Sequence, residues 1–414
     1  MNYVGTARPI HDAKGKATGY TKYAGDLSLP NMAYLCMLHS KIPHGYVKAV
    51  HAEKALALPG VYGVYHCLNT TDRKYNRYHS NFDQAYLPNE ECAFNDYVRF
   101  VGDKIGVVAA CDQETAERAA RLVEVEYEEL PFSIGFDDTL AGKNCLEGET
   151  PVRDEYTLEV GKKQESTEGL IEVCSTMELP RLHHATMETH ACIADYDPYI
   201  DMLTVYCPNQ AVHGIRTVLA DYLEMPESHV RVIKATMGGS FGAKQEWFLE
   251  PVAALVAKKL CCPVKLVYSR GEAMTDTIVR GAMRMSARGY YTPDGEMKEI
   301  YCDVTLDAGA YIGNAGDYIR ALAGKPTRCY RIPYMHYHGQ VISSNSPVSG
   351  AFRSWSAAEE ALMMERQIDA AAEKLGIDRL TIRLKNVAHA GEEDKKLHLS
   401  LEDIRIGDAI TLGS

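Results

Sequence analysis

The chain has 414 residues, of which 24% are charged and 46% hydrophobic, and it carries a formal net charge of −12. This composition is typical of a soluble globular protein with two or three domains. The acidic balance argues against a nucleic acid or an anionic membrane surface as partner. No apolar run reaches the roughly 18 residues needed to span a bilayer, and the N-terminus has no apolar segment of a secretory signal. We therefore predict a cytoplasmic protein.

The order of the predicted elements indicates an α+β fold with two main units. In the first unit, Asp112 predicts the start of a helix that runs through Ala120, and a strand with alternating apolar positions follows at 122–127. The next segment has little periodicity and predicts a linker, after which the chain is rich in strands. The predicted boundaries are 1–132 for the N-terminal unit, 133–169 for the linker, 170–387 for the strand-rich unit and 388–414 for a polar C-terminal tail.

A glycine turn with the sequence Met-Gly-Gly-Ser-Phe-Gly-Ala-Lys-Gln occupies positions 237–245. It lies between a predicted strand at 230–236 and a predicted helix at 251–260. Small residues at the end of a strand let the backbone approach a ligand closely, because glycine has no Cβ. The turn matches neither the dinucleotide fingerprint nor the P-loop, since no Ser or Thr follows Lys244. The pattern alone leaves a ligand site and an ordinary structural turn open.

Other segments accompany this turn in a fixed order. They are Pro-Asn-Gln at 208–210, His-Ala-Thr-Met-Glu at 184–188, Ile-Arg-Ala-Leu at 319–322, and Ser-Gly-Ala-Phe-Arg-Ser-Trp at 349–355, which opens a predicted helix Ala357–Leu375 closed by Gly376. In order and spacing these motifs resemble the molybdenum-binding subunit of the xanthine dehydrogenase and aldehyde oxidase family. The resemblance extends over nearly the whole chain. It implies an N-terminal α/β hammerhead-like domain followed by a mixed, strand-rich molybdopterin-binding domain.

The resemblance also implies which residues face a molybdenum–molybdopterin cofactor, expected in its cytosine dinucleotide form. Gln210 matches the glutamine that donates to the apical oxo ligand of the metal, and Arg353 matches an arginine near the molybdenum and the pterin. Together with Phe241, these two residues would surround the molybdenum without ligating it. The cofactor-binding residues implied in the glycine turn are Gly239, Ser240, Phe241 and Gly242.

Three residues are implied to act on the substrate. Arg320 matches an arginine that stabilises negative charge developing on a purine ring. Gln245 stands where purine-hydroxylating members often have a glutamate, and Trp355 stands where a phenylalanine usually stacks on the substrate. Without the motifs, Arg320 and Arg353 would be interpreted as surface or salt-bridged arginines and Trp355 as a core residue.

Neither zinc nor an iron–sulfur cluster is expected on this chain. Its twelve cysteines show no C-x-x-C or C-x₄-C-x₂-C spacing. The resembled family places no metal at the cluster His183, His184 and His190, so structural roles are favoured there. The resemblance therefore implies partner subunits that carry 2Fe-2S clusters and FAD.

The main departure from the family is length. Family molybdenum subunits are roughly twice as long, and their second half carries a G-V-G-E motif whose glutamate is the catalytic base; no such motif occurs here. We expect a partner chain to supply the second molybdopterin-binding half and the base, and a fragment of a longer chain is the alternative.

The implied reaction is hydroxylation of an N-heterocycle with water as the oxygen source. Arg320 and Gln245 favour xanthine or hypoxanthine as substrate, because the forked donors of arginine can meet charge on a purine ring. A nicotinate-type or aldehyde dehydrogenase subunit is an alternative, as is a non-catalytic module that binds the molybdenum cofactor.

Overall fold

The computed structural model of the chain describes residues 4–78, 88–143, 146 and 150–413. It contains a seven-stranded, a five-stranded and a three-stranded sheet and a short hairpin, with helices between them. This mixed architecture confirms the predicted α+β class.

The strands are numbered in chain order. They are β1 Ala33–His39, β2 Gly45–His51, β3 Val61–His66, β4 Tyr97–Val98, β5 Lys104–Ala110, β6 Glu124–Glu129, β7 Val152–Gly161, β8 Ile171–Leu179, β9 Ala191–Asp197, β10 Met202–Cys207, β11 Val230–Lys234, β12 Val264–Val267, β13 Ala282–Tyr291, β14 Met297–Asp307, β15 Tyr334–Ile342, β16 Glu393–Asp394 and β17 Leu399–Ser400.

The helices follow the same numbering. They are α1 Ala13–Ala17, α2 Glu53–Leu56, α3 Gln113–Ala120, α4 Phe136–Leu140, α5 Val212–Tyr222, α6 Glu250–Leu260, α7 Arg270–Asp276, α8 Ala315–Ala323, α9 Pro326–Cys329, α10 Ala357–Leu375, α11 Arg379–Asn386 and α12 Ile406–Gly413, with 3-10 helices at Ala24–Asp26 and Glu227–His229. Within the described ranges, no helix has both the length and the apolarity to cross a bilayer.

The seven-stranded sheet joins the N-terminal part of the chain to the rest. Its order is β11-β10-β9-β12-β1-β5-β3, so strands from both predicted units share one sheet. The junction is the parallel pair of β1 and β12, in which Ala33 faces Val264. Helix α6 packs on β9, β10 and β12, and its residues from Glu250 to Ala257 are all buried. The predicted boundary at residue 132 therefore does not separate two sheets.

The five-stranded sheet has the order β7-β15-β14-β13-β8. Helix α10 packs on β8 and β13, while α8 packs on β7 and β15. Buried apolar side chains fill the space between this sheet and its helices, among them Met285, Ile300, Val304, Ile319, Met364 and Ile368. The remaining three-stranded sheet has the order β4-β2-β6.

Two helix boundaries agree with the capping signals in the sequence. Asp112 is the N-cap of α3, where its side chain accepts a hydrogen bond from the Thr115 backbone N–H at 2.7 Å. Helix α10 ends at Leu375, and Gly376 follows it in the left-handed conformation with φ +68°. Both predicted caps are confirmed.

The predicted linker 133–169 is wrong over much of its length, because it contains α4 and the ten-residue strand β7. Strand β7 pairs with β15 from Val152 opposite Ile342 to Gly161 opposite Tyr334. It is an edge strand in which only Val160 is buried. Its second half does alternate, with Tyr156, Leu158 and Val160 between polar residues. This strand signal was overlooked because the first half of the strand is mostly polar.

The predicted polar tail 388–414 also has structure. It forms the hairpin of β16 and β17 and the helix α12. Ile406 and Ile410 are partly buried against the core of the five-stranded sheet. Two apolar contacts among many polar residues were too weak a pattern to predict this packing.

The junction of β7 with the start of β15 gives a stability prediction. Gly161 has φ +80°, and a Cβ there would lie 1.8 Å from the carbonyl oxygen of Pro333. Gly161→Ala should lower the free energy of unfolding in urea by about 3 kcal/mol, since the backbone must move to admit the methyl group.

Gly169→Ala is the matched control, because Gly169 has φ +76° but nothing within 4 Å of its Cβ position. Its cost should be about 1 kcal/mol, from backbone conformation alone. If the two variants lower the free energy of unfolding equally, the close contact at Gly161 is contradicted.

Candidate functional site

Two of the predicted site segments leave the same edge of the seven-stranded sheet. Strands β10 and β11 are parallel neighbours, with Cys207 facing Lys234, so the loops that follow them begin side by side. The backbone N–H of Gln210 on the first loop donates to the carbonyl of Lys244 on the second at 2.7 Å. The Ser240 hydroxyl donates to Oε1 of Gln210. These bonds join the Gln210 loop to the glycine turn 237–245.

The glycine turn also meets the third segment, 349–355. Gly242 has φ +103°, and a Cβ there would lie 2.3 Å from the carbonyl oxygen of Ala351. A side chain cannot fit in that gap, which is why the position requires glycine. The neighbouring Phe241 is left-handed with φ +55° and 50% exposed. The turn thus presents backbone and an aromatic ring outward while its other side packs on segment 349–355.

An ion pair fixes the two ends of the turn. The buried ammonium of Lys244 lies 2.6 Å from Oε2 of Glu188, and the same oxygen accepts the backbone N–H of Gly238 at 2.7 Å. Burial lowers the pKa of Lys244, and the carboxylate of Glu188 opposes that shift. Glu188 ends the His-Ala-Thr-Met-Glu segment, so this motif serves to hold the glycine turn.

Two buried histidines hold the backbone on either side of the Gly242 contact. Nε2 of His184 donates to the carbonyl of Ala351 at 2.8 Å, and Nε2 of His190 donates to the carbonyl of Ala243 at 2.9 Å. Burial lowers the pKa of each imidazole to about 4, so both are neutral donors at neutral pH. Among the described residues, no group of three His, Cys, Asp or Glu side chains is arranged to hold a metal ion.

Segment 349–355 is held by a stack around Phe352. The ring of His184 stacks on Phe352 with centroids 4.3 Å apart, and the guanidinium of Arg280 lies over the same ring at 4.2 Å. Arg280 also donates to the carbonyl of Arg353 at 3.0 Å and pairs with Glu359 of α10 at 2.9 Å. Arg353 itself is exposed, so its backbone is fixed while its guanidinium faces outward.

Trp355 lies in a strained turn at the start of α10. Ser354, Trp355 and Ser356 all have positive φ, at +80°, +33° and +71°. Such backbone costs energy in residues other than glycine and persists where the surroundings enforce it. The Trp355 ring contacts Tyr318 edge to face at 5.7 Å, and the ammonium of Lys325 donates to the Trp355 carbonyl at 2.5 Å. Trp355 is half-buried and packs against the core of the five-stranded sheet.

Arg320 contacts two residues of strand β7. Its guanidinium forks onto Asp154, with Nη1 at 2.5 Å and Nη2 at 3.0 Å from the two carboxylate oxygens, and lies over the Tyr156 ring at 5.4 Å. Both partners belong to the strand that the sequence prediction assigned to a linker. By contrast, Gln245 belongs to the glycine turn, and its N–H donates to the Gly242 carbonyl at 3.1 Å. The structure therefore brings Gln210, the glycine turn and segment 349–355 together.

Some contacts that organise this cluster could not be predicted from the sequence, although Glu188 and Lys244 each belong to one of the motifs. Glu188 and Lys244 are 56 positions apart, and Arg280 belongs to none of the motifs. The histidines were noticed as a cluster, but their hydrogen bonds go to backbone carbonyls in two different loops. Pairings over such distances follow from the fold and leave no local pattern.

A groove of about 1070 Å³ lies elsewhere in the described part of the chain. It is lined by residues of β1, α3 and β12 and by the start of β6, including Cys36, Glu117 and Lys265. None of the predicted site residues lines it. The convergence of loops, and not the size of a cavity, is what identifies the candidate site.

The exposed groups of the site suit an anionic, oxygen-rich ligand. Gln210 is exposed, and because its amide oxygen accepts from Ser240, its amide nitrogen remains as a donor. Arg353 adds a guanidinium that stays charged at any working pH. Donors of this kind beside closely approaching backbone bind phosphate and oxo oxygens. The residues present therefore fit the molybdenum–molybdopterin cofactor that the resemblance implies.

Comparison with known protein families assigns both parts of the chain. Residues 149–387 match the molybdopterin cofactor-binding domain, and residues 18–131 match the aldehyde oxidase and xanthine dehydrogenase a/b hammerhead domain. The predicted order, a hammerhead-like domain followed by a strand-rich cofactor-binding domain, is confirmed.

Individual relatives agree with these matches. The chain is 31% identical over 384 residues to the nicotinate dehydrogenase large molybdopterin subunit of Eubacterium barkeri, covering 92% of this chain and 88% of that protein. It is 30% identical over 396 residues to the xanthine dehydrogenase molybdenum-binding subunit of Escherichia coli, covering 92% of this chain and 51% of that protein. The chain thus spans about half the length of the second relative.

Solved structures share the fold. Quinoline 2-oxidoreductase from Pseudomonas putida matches with a TM-score of 0.90 at 23% identity, covering 99% of this chain and 53% of that one. Aldehyde oxidoreductase from Desulfovibrio gigas matches with a TM-score of 0.91 at 24% identity, covering 99% of this chain and 46% of that one.

The neutral histidines predict acid sensitivity. His184 and His190 take up a proton near pH 4 in the folded chain and near pH 6.5 when unfolded. Between these values the unfolded chain binds more protons, so the free energy of unfolding should fall as pH is lowered from 6.5 to 4. Each histidine contributes up to roughly 3 kcal/mol. Urea unfolding at a series of pH values measures this slope.

His190→Gln is the informative variant, because its amide N–H can still reach the Ala243 carbonyl but does not titrate. His190→Gln should therefore reduce the change of the free energy of unfolding with pH by the contribution of His190. An unchanged slope would show that His190 is not held neutral.

Proposed function

Because this chain belongs to the aldehyde oxidase and xanthine dehydrogenase family, we propose that it is the molybdenum-binding half of the large subunit of a multisubunit molybdenum hydroxylase. The observation that carries the proposal is the convergence of Gln210, the glycine turn and segment 349–355. The bound cofactor, molybdenum with molybdopterin in its cytosine dinucleotide form, supplies the chemistry that transfers oxygen from water to an electron-poor carbon.

This chain's own residues bind and orient the cofactor. Gln210 donates its amide N–H to it, and Arg353 places a positive charge beside it. The backbone from Gly239 to Gly242, with Ser240 and the half-exposed ring of Phe241 between them, lies beside these groups and would contact the cofactor. The hydrogen bonds that His184 and His190 donate, and the one that Glu188 accepts from Gly238, keep these groups in place before the ligand arrives.

The substrate class follows from Gln245 and Trp355. A glutamine side chain donates and accepts at once, which suits the edge of an N-heterocycle better than an apolar aldehyde. An indole ring offers a flat surface on which an aromatic ring can stack. We propose an N-heterocycle as substrate, with xanthine or hypoxanthine as the first choice.

Arg320 would favour a purine by meeting negative charge on the ring, and its pair with Asp154 bears directly on this role. The pair is partly exposed, at 27% for Arg320 and 13% for Asp154. Because this pair is bidentate and mostly buried, a substrate must displace Asp154 from part of the fork to reach the guanidinium. In this proposal Asp154 orients the guanidinium and the substrate competes for its donors.

A nicotinate-type substrate is the second candidate. Its support is the relative from Eubacterium barkeri, 88% of which this chain covers. We propose that a partner chain supplies the second molybdopterin-binding half and the catalytic base, and that further subunits carry the 2Fe-2S clusters and FAD.

Activity should require the partner chains. Expressed alone, the chain should reduce no dye with xanthine, hypoxanthine, nicotinate or an aldehyde, because the proposed base is on another chain. The complex isolated from its native host should contain molybdenum, iron–sulfur clusters and flavin, and should reduce dye with one of these substrates. Turnover by the chain alone would refute the divided subunit. A complex that holds molybdenum but turns over none of these substrates would favour a non-catalytic cofactor-binding module.

Two variants separate a substrate role of Arg320 from a structural one. Arg320→Met should lower kcat on purines about 100- to 1000-fold, the loss typical of one preorganised donor, and leave aldehyde turnover unchanged. Asp154→Asn breaks the same ion pair but keeps the guanidinium, so purine kcat should stay within a few-fold of the parent. If both variants lose purine turnover equally, Arg320 acts only through Asp154 and its assignment to the substrate is wrong.

A further inference from the structure

Glu246 is a buried acid at the centre of the candidate site. It directly follows Gln245 and is 1% exposed. A carboxyl group this deeply buried needs hydrogen-bond partners or a compensating charge. Its partners belong to several of the elements that form the site.

The backbone of Glu246 fixes the Gln210 loop. Its carbonyl accepts a hydrogen bond from Nδ2 of Asn209 at 2.9 Å, and Oδ1 of Asn209 accepts the N–H of Ala211 at 2.7 Å. Asn209 is itself 2% exposed. The loop that carries Gln210 is therefore held on both sides of that residue through its neighbour Asn209.

The carboxyl of Glu246 fixes segment 349–355 and the start of α8. The backbone N–H of Ala351 lies close enough to the carboxyl to lower its pKa, and Nδ2 of Asn314 donates to Oε1 at 3.1 Å. A Cβ at Gly350 would lie 2.5 Å from Oε1, so the small residue before Ala351 is needed to admit the carboxyl. Glu246 thus contacts the Gln210 loop, segment 349–355 and α8, while its own backbone continues the glycine turn.

The surroundings favour an uncharged carboxyl. Burial is the largest influence and raises the pKa of Glu246 to about 8; the nearby charge of Arg77 opposes this shift and Glu91 adds to it. Arg77 is already forked onto Glu91 through Nε and Nη2. Among the described residues, Oε2 of Glu246 and Oδ1 of Asn314 are both buried without a hydrogen-bond partner. If Oε2 of Glu246 carries a proton, it can donate to Oδ1 of Asn314 while Oε1 accepts from Nδ2. The carboxylic acid and the amide then form two hydrogen bonds with each other.

We propose that Glu246 is the positioning residue of the site for cofactor binding. Its uncharged carboxylic acid fixes segment 349–355 against the glycine turn beside Gln245, and its backbone carbonyl holds the Gln210 loop. This role rests on the proposed function. Loss of the carboxyl frees segment 349–355 and the start of α8 at once, while the bond of Asn209 to the backbone carbonyl remains.

The test compares Glu246→Gln with Glu246→Ala in the intact complex. Glutamine keeps an acceptor for Asn314 and Ala351 and supplies an N–H in place of the acid proton. It should retain the molybdenum and pterin content of the parent. Alanine removes the carboxyl and should lower that content about 10- to 100-fold, as expected when a group that orients ligands is lost. Metal analysis and pterin fluorescence after denaturation measure both without an activity assay.

Glu250→Ala is the control, because Glu250 is also buried, at 6% exposure, but its Oε2 accepts from the N–H of Phe248 within the same segment. It should lower the melting temperature and leave the cofactor content of folded complex at the parent level. If Glu246→Ala does not fold, Asn314→Ala removes the partner of Oε1 while leaving Glu246 in place, and cofactor content should again fall. A parent complex without molybdenum would refute the proposed function. A loaded parent with full cofactor content in folded Glu246→Ala or Asn314→Ala would refute the role of Glu246 alone.

A pH profile tests the uncharged state independently. An unfolded chain releases the Glu246 proton near pH 4.5 and the folded chain near pH 8, so between these values the unfolded parent binds fewer protons and parent stability falls as pH rises. Glu246→Gln lacks this loss, so the gap between its Tm and that of the parent should widen from about pH 5 to about pH 8 and then stay constant. The other ionisable groups near this carboxyl, Arg77, Tyr78 and Glu91, are present in both proteins. A constant gap would show that Glu246 is ionised in the fold and would overturn the proposal.

Discussion

The close approach of Gly242 to the carbonyl of Ala351 is the constraint on which the candidate site depends. It puts two loops, more than a hundred residues apart in the chain, in direct backbone contact, with no room for a Cβ between them. Such a close contact is stable only if other residues hold both backbones in position. His184 holds one carbonyl and His190 the other. The ion pair of Lys244 with Glu188 closes the turn that contains Gly242. The absence of a Cβ at Gly242 therefore permits the contact, and the buried hydrogen-bond donors hold the two backbones together.

The placement of these loops begins in the sheet. β10 and β11 run parallel, so their carboxyl ends meet at one edge and the segments that follow start as neighbours. In open sheets with parallel strands, ligands bind at such an edge, because loops and not side chains of the strands face the space beyond it. The parallel pair of β1 and β12 extends the same sheet into the N-terminal part of the chain. The hammerhead-like domain is therefore continuous with the cofactor-binding domain through hydrogen-bonded strands.

Local signals in the sequence were sufficient for features whose cause is local. Asp112 capped α3 and Gly376 followed α10 as predicted, because each depends on residues within one helical turn. The ordered motifs predicted the family, since together they extend over nearly the whole chain. Strand β7 was missed although Tyr156, Leu158 and Val160 alternate with polar residues, because its first half is mostly polar and its partner β15 lies about 180 residues away. The bond of Arg320 to Asp154 spans 166 residues and had no local pattern.

The distribution of charge explains how so many polar groups can be buried behind one site. Removing an ion from water costs several kcal/mol even after the protein relaxes, and buried groups avoid this cost by being neutral or paired. His184 and His190 are neutral because burial lowers their pKa, while Lys244 and Glu188 compensate each other. The loops are therefore held by side chains that are either neutral or paired, so these side chains add little net charge behind the site. Arg353, which is exposed at the edge of the cluster, can then present its positive charge to whatever the loops bind.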